Sequence, residues 1–182
     1  MANWYYLISQ LPSFQIAGNS QLPITESAFN ELCSRYLDAK TLALVLNLSL
    51  EPPRALIEVK TGFGAVDAWN EMEVSLRLAL AQLRAQKLQK DFSHPAVSIR
   101  PEALQAARTA SSIESPLEAE LFLNDFRAGF IDKIALADVF STNALLVYAL
   151  RLKLAVRIRK FNEEAGRDSY REIYDKILGE AT

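Results

Sequence analysis

Residues 141–160, STNALLVYALRLKLAVRIRK, constrain the fold more than any other part of the chain. Ser141-Thr142 is a helix start, and the helix that follows is apolar almost all round before it ends in five basic residues. A helix of that kind has no wet face and must be surrounded by other elements. The stretch ahead of it, SPLEAELFLNDFRAGFIDKIA, opens a second helix. Ser115 suits its N-cap, Pro116 its first position, and Glu118 the third position of a capping box. Neither segment carries a catalytic group, and both are suited to packing and docking.

At 182 residues the chain is long enough for one domain with a sizeable core, or for two small ones. The expectation is a single helical domain over 1–182, with any subdivision near 94–100. Hydrophobic residues make up 50% and charged residues 23%, which places the chain among soluble globular proteins. The net charge of −2 supplies no global field for nucleic acid or an anionic membrane. Cys33 is the single cysteine, so no internal disulfide forms and a reducing compartment is expected. No segment reaches the roughly 18 apolar residues of a membrane span. The uncharged opening lacks the basic region of a signal peptide, and Ser9, Gln10, Pro12 and Ser13 interrupt its apolar run. The expected location is the cytosol.

The remaining segments point to a mainly α protein, a bundle of six or seven helices. Asn3–Ser9, with Trp4, Tyr5, Tyr6, Leu7 and Ile8, reads as a short strand or extended apolar anchor. Thr25 caps a helix through Leu37, with Ile24 and Phe29 placed as a hydrophobic staple. Residues 39–50 are ambiguous. Leu42, Leu44, Leu46, Leu48 and Leu50 alternate as in a strand, whereas leucine-alanine composition and the N-cap Asp38 favour a helix, and the balance falls to helix. Pro52-Pro53 stops it, and Thr61-Gly62-Phe63-Gly64 is a turn. From Asp67 to about Asp91 the period predicts the longest helix. Trp69, Met72, Leu76, Leu80 and Leu83 form one stripe, and Val74, Leu78, Ala81 and Leu88 lie opposite. Glu73, Arg77 and Arg84 run between the stripes, and Glu73–Arg77 has the favourable i, i+4 spacing. A helix with two apolar stripes is expected to be covered on both sides. His94-Pro95 to Arg100 reads as a linker, and Pro101 opens a short helix through about Ala110. Gly166 is expected to end the helix from Ser141. Asp168 then caps a last helix carrying Tyr170, Ile173, Tyr174 and Ile177.

The inventory for chemistry is thin. His94 is the only histidine. With Cys33 far from it in sequence it does not make a zinc site, and a solvated loop residue is the simpler reading. Cys33 has Arg35 nearby but no histidine partner, so it reads as a half-buried structural thiol. Gly62-Phe63-Gly64 lacks the lysine and hydroxyl that grip phosphates. Glu118 and Glu120 are two residues apart on a helix and point in different directions, so they do not form an acid–base pair. No catalytic, cofactor or metal residue is assigned. Arg151, Lys153, Arg157, Arg159 and Lys160 hold five of the 20 basic residues with no acid between them. Lys153, Arg157 and Lys160 share one helix face. A solvated helix end, pairing with Glu163 and Glu164, is one reading, and a docking surface for an acidic protein partner is the other. Nucleic acid is disfavoured because no aromatic residues interleave the run.

Four segments together, WYYLISQLPSF, WNEMEVSLRLALAQLRAQKLQKD, SPLEAELFLNDFR and FSTNALLVYALRLKLAVRIRKFNEEAG, resemble a family of small proteins encoded in certain bacterial V-type ATPase operons. Those proteins take the place where the rotor adaptor of the C type, also called the d type, is expected. The more specific parts are Tyr5-Tyr6-Leu7-Ile8 with Leu11-Pro12, the Pro-x-Glu-Ala-Glu at Pro116, and the Tyr-x-x-x-Leu-x-Leu at Tyr148. The resemblance implies a helical, non-enzymatic component of the ATPase without cofactor. Its partners would be the central stalk and the proteolipid ring, and it would lie peripherally at the inner membrane through the complex. Taken without the resemblance, the residues also allow a soluble helical interaction module unrelated to the rotary motor. An enzyme working through carboxylates alone would instead require a concave pocket with convergent acids.

Overall fold

A computed structural model describes residues 4–16, 22–52, 60–92, 98–135, 141–160 and 170–177. All regular structure among them is helical: α1 (Trp4–Gln10), α2 (Glu26–Tyr36), α3 (Ala39–Asn47), α4 (Gly64–Lys87), α5 (Pro101–Ser112), α6 (Pro116–Ala135) and α7 (Thr142–Arg159). Residues 170–177 are also helical.

Short polar side chains set most of the helix starts. The N–H of Ala28 donates to Thr25 Oγ1 at 3.2 Å, that of Glu118 to Ser115 Oγ at 3.3 Å, and that of Ala144 to Ser141 Oγ at 3.2 Å. Each bond satisfies a donor that the first helical turn leaves free. At α3 the Thr41 N–H and hydroxyl both donate to the Asp38 carboxylate, at 3.2 and 2.8 Å. The hydroxyl bond and then the amide bond hold that carboxyl below its usual range. Leu46 stands 49% exposed while Thr41, Val45 and Leu48 are buried, so the alternating leucines do not mark strand faces.

Three expectations change besides the end of α4, which comes early, at Lys87. The first is α1, which is helical and not extended. A lone strand would leave its backbone donors and acceptors without a sheet, whereas a helix pairs them internally. The turn closes through the Ser9 hydroxyl, which donates to the Tyr6 carbonyl at 2.8 Å, and Leu7 is driven into the core. The second is the start of α4, which lies at Gly64, three residues ahead of Asp67. Phe63 offers no cap, and Asp67 Oδ1 instead accepts from both the N–H and the hydroxyl of Thr61, each at 2.7 Å. Asn143 Oδ1, from the start of α7, accepts from the Ala65 N–H at 3.4 Å. Gly62 takes φ of +82° in the turn between them, a left-handed conformation that favours glycine. The third is the end of α7, which falls at Arg159. Gly166, Asp168 and His94-Pro95 lie outside the described residues.

α4, α5, α6 and α7 pack together, with α4 touching each of the other three. α5 presents the buried row Ala103, Ala106, Ala107 and Ala110, whose small side chains let it lie close to its neighbours. α7 buries Leu145, Leu146, Val147, Ala149, Leu150, Leu152, Leu154, Ala155 and Ile158, as a helix apolar all round requires. α4 is covered on both stripes through Trp69, Met72, Leu76, Val74 and Leu78, while Leu88, past the helix end, is 65% exposed. The α1–α3 layer meets α7 at Tyr148. Its ring packs against Phe14 and Phe29, and its hydroxyl donates to the Pro12 carbonyl at 3.0 Å. Burial pushes that phenol up to about 12.

Candidate functional site

The basic end of α7 is the site the chain's own chemistry singles out, and three of its five cations are engaged within the molecule. Arg151 lies 3.1 Å from Asp132 and over the Phe14 ring. Lys153 Nζ donates to Glu26 Oε1 at 2.6 Å, and Arg157 Nη2 to Glu120 Oε1 at 2.6 Å. Arg159 and Lys160 stand in solvent. The shared face of Lys153, Arg157 and Lys160 becomes one wall of a cleft of about 380 Å³. Val156 sits between them, and Glu26 with the segment Leu48, Ser49, Leu50 and Glu51 forms the opposite side.

An alternating chain of ions runs inward from this cleft. Glu120 Oε1 accepts from Arg127 Nη1 at 3.2 Å as well as from Arg157. Arg127 then forks onto Glu73, with Nε to Oε2 at 3.0 Å and Nη2 to Oε1 at 3.1 Å. Such a bidentate contact is the strong form of an arginine–carboxylate pair. Asn124 Oδ1 accepts from Arg127 Nη1 at 3.2 Å. Arg77 Nε donates to Glu73 Oε1 at 3.1 Å and reaches Glu51 only at 3.9 Å. Glu73 is fully buried, and Arg127 and Asn124 nearly so. The chain therefore leaves the cleft at Arg157, passes through α6 and α4, and returns to its rim at Glu51.

This network is the feature that reasoning from sequence misses. The i, i+4 spacing of Glu73 and Arg77 is legible, and so is the position of Glu73 between two apolar stripes. Covering both stripes leaves little room for a wet strip between them, which is the signal that Glu73 would be buried. Its partner Arg127 carries no local mark.

Apart from His94, which lies outside the described residues, the other residues weighed for chemistry are accounted for structurally. Cys33 is wholly buried, beyond the half-burial expected, and desolvation pushes its thiol up to about 11. Glu118 is exposed and its N–H completes the Ser115 cap, while Glu120 belongs to the ion chain. Gly62-Phe63-Gly64 is the turn into α4. Among the described residues no cluster of histidine, cysteine and acids can hold a metal, and no helix is long and apolar enough to cross a membrane.

A second surface lies further along the chain. Every described side chain of residues 170–177 is exposed. Tyr170, Ile173, Tyr174 and Ile177, spaced as one helix face, are between 51% and 68% accessible. Tyr170 and Tyr174 stack at 6.1 Å.

Comparison with protein-family models, with curated proteins and with solved structures gives no match to this chain.

Proposed function

We propose that this chain is a non-catalytic adaptor of a bacterial V-type ATPase. It would act as a C-type link between central stalk and proteolipid ring, held at the cytoplasmic face of the membrane through the complex. The assignment to that complex rests on the resemblance of its four sequence segments. The docking role rests on one observation above the others: the row Tyr170, Ile173, Tyr174 and Ile177 stands open to solvent on a helix with no covered side. An exposed apolar row of this kind is an interaction surface. A non-catalytic role is supported by the acids of the described interior. Glu73 and Glu120 are consumed in arginine pairs, and the one thiol is buried and protonated.

The test is affinity purification of the tagged chain from cells that express the ATPase. Stalk or proteolipid components should be recovered with it. Serine at Tyr170, Ile173, Tyr174 and Ile177 should abolish the recovery while the circular dichroism spectrum stays unchanged. A folded chain that recovers no part of the ATPase overturns the assignment. Recovery of another protein in their place would favour an interaction module outside the rotary motor.

A further inference from the structure

We propose that the cleft beside the end of α7 binds an extended acidic peptide segment of a partner protein, whose carboxylates displace the chain's own acids from Lys153 and Arg157. This goes beyond the adaptor reading, whose docking row is Tyr170 to Ile177, by adding a second docking surface at the basic end of α7 with the chemistry of its occupant. The first argument is charge. Along the interior chain, Arg77, Arg127 and Arg157 share two closely bound carboxylates, Glu73 and Glu120. The remaining acid, Glu51, stands 3.9 Å from Arg77. In the cleft's own lining Lys153, Arg157 and Lys160 face two carboxylates, of which Glu26 is taken by Lys153 and Glu51 lies toward Arg77. Glu120 divides itself between Arg127 and Arg157, so the wall keeps a small positive excess. Lys160, on the same wall, has no ion pair among the described residues.

The second argument is spacing. Lys153 and Arg157 are four helical positions apart, about 6 Å along the axis. Alternate side chains of an extended segment are about 6.6 Å apart on one face. Acids at alternate positions therefore meet Lys153 and Arg157 together, and Lys160 extends the row. Val156 and Leu50 provide apolar contact for the stems of those side chains. The cations are already held in place by Glu26 and Glu120, so little side-chain entropy is lost when the ligand takes them over. The arrangement also makes Glu26 a competitor of the ligand, since it holds Lys153 at 2.6 Å.

The experiment measures fluorescence anisotropy of a labelled peptide of alternating glutamate and leucine against the full chain. Binding should weaken as salt rises, because the charges are partly open to solvent. Arg157→Gln and Lys160→Gln should each weaken it roughly two- to fivefold, the scale of one partly exposed ion pair. Glu26→Gln, which frees Lys153, should tighten it by a similar factor. Lys160→Gln touches no ion pair among the described residues, so it remains informative if Arg157→Gln disturbs the fold. Equal binding of the glutamine-for-glutamate peptide, equal binding of a single-stranded oligonucleotide, or no response to Lys160→Gln and Glu26→Gln would overturn the proposal. No peptide binding by a chain that still recovers ATPase components refutes the cleft alone. Peptide binding without such recovery refutes the ATPase assignment alone.

Discussion

Gln89 shows how much a single residue can hide from a periodic reading. The apolar and polar pattern of α4 continues to Asp91, yet the helix stops at Lys87. Gln89 takes φ of 52°, alone among the described non-glycine residues in having positive φ. Its N–H donates to the Gln86 carbonyl at 3.2 Å, and the Lys90 N–H to the Ala85 carbonyl at 3.0 Å. That is a Schellman ending built on glutamine where glycine is usual. A side chain in the left-handed region costs about 1 kcal/mol that glycine avoids. Gln89→Gly should therefore stabilise the protein by about 0.5–1 kcal/mol, read as a raised urea midpoint. A lowered midpoint would mean that the glutamine side chain, and not the backbone, sets the stop. The starts are easier to see, because Thr25, Asp38, Ser115 and Ser141 bond to groups three residues away and announce themselves by type and position. Gln89 announces nothing, so the period runs on past the true end of the helix.

At the scale of elements, the Glu73–Arg127 pair joins α4 to α6 where apolar packing would be expected. Both groups are buried and joined in a two-pronged contact, with Arg77 also holding Glu73, and Glu120 and Asn124 also holding Arg127. A buried ion pair adds little over a hydrophobic replacement, but removing one partner leaves the other charge without compensation. Arg77 still faces Glu73 when Arg127 is removed, so Arg127→Met should cost about 2–3 kcal/mol, below the full cost of an unpaired buried charge. The double change Glu73→Leu with Arg127→Met should recover most of that loss. Denaturation midpoints of the two single variants and the double variant close the cycle. A double variant as unstable as the sum of the singles would show that the two side chains act independently. The pair is only half legible in the sequence. Glu73 and Arg77 are neighbours on one helix, so their contact follows from spacing. Arg127 lies 54 residues further along and reaches Glu73 only once α6 has packed on α4.

At the scale of the molecule, the described helices divide into those with buried and those with open apolar surface. α7 hides nearly all of its apolar side chains, while residues 170–177 hide none. Side chains already in solvent contribute little to folding, and surface changes usually stay within about 0.5 kcal/mol. Serine at Tyr170, Ile173, Tyr174 and Ile177 should leave the melting midpoint unchanged and reduce the binding of a hydrophobic dye. A marked fall in the midpoint would mean that this face is packed in the folded protein in solution.

What sequence determined was local. A cap, a proline at the first helical position and a 3.6-residue period act within one or two turns. They placed α2, α3, α5, α6 and α7 and required α7 to be enclosed. The tertiary structure decided what depends on partners distant in the chain. It made α1 a helix, because no strand lies beside it among the described residues to pair the backbone of an extended Asn3–Ser9. It took Lys153 out of a free basic face by bringing up Glu26, 127 residues earlier. It also drew Arg157 to Glu120, and through Glu120 to the buried Arg127. Helix period shows which side of α7 those cations occupy. Which carboxylates meet them depends on how the helices stack, and no spacing within a single segment records that.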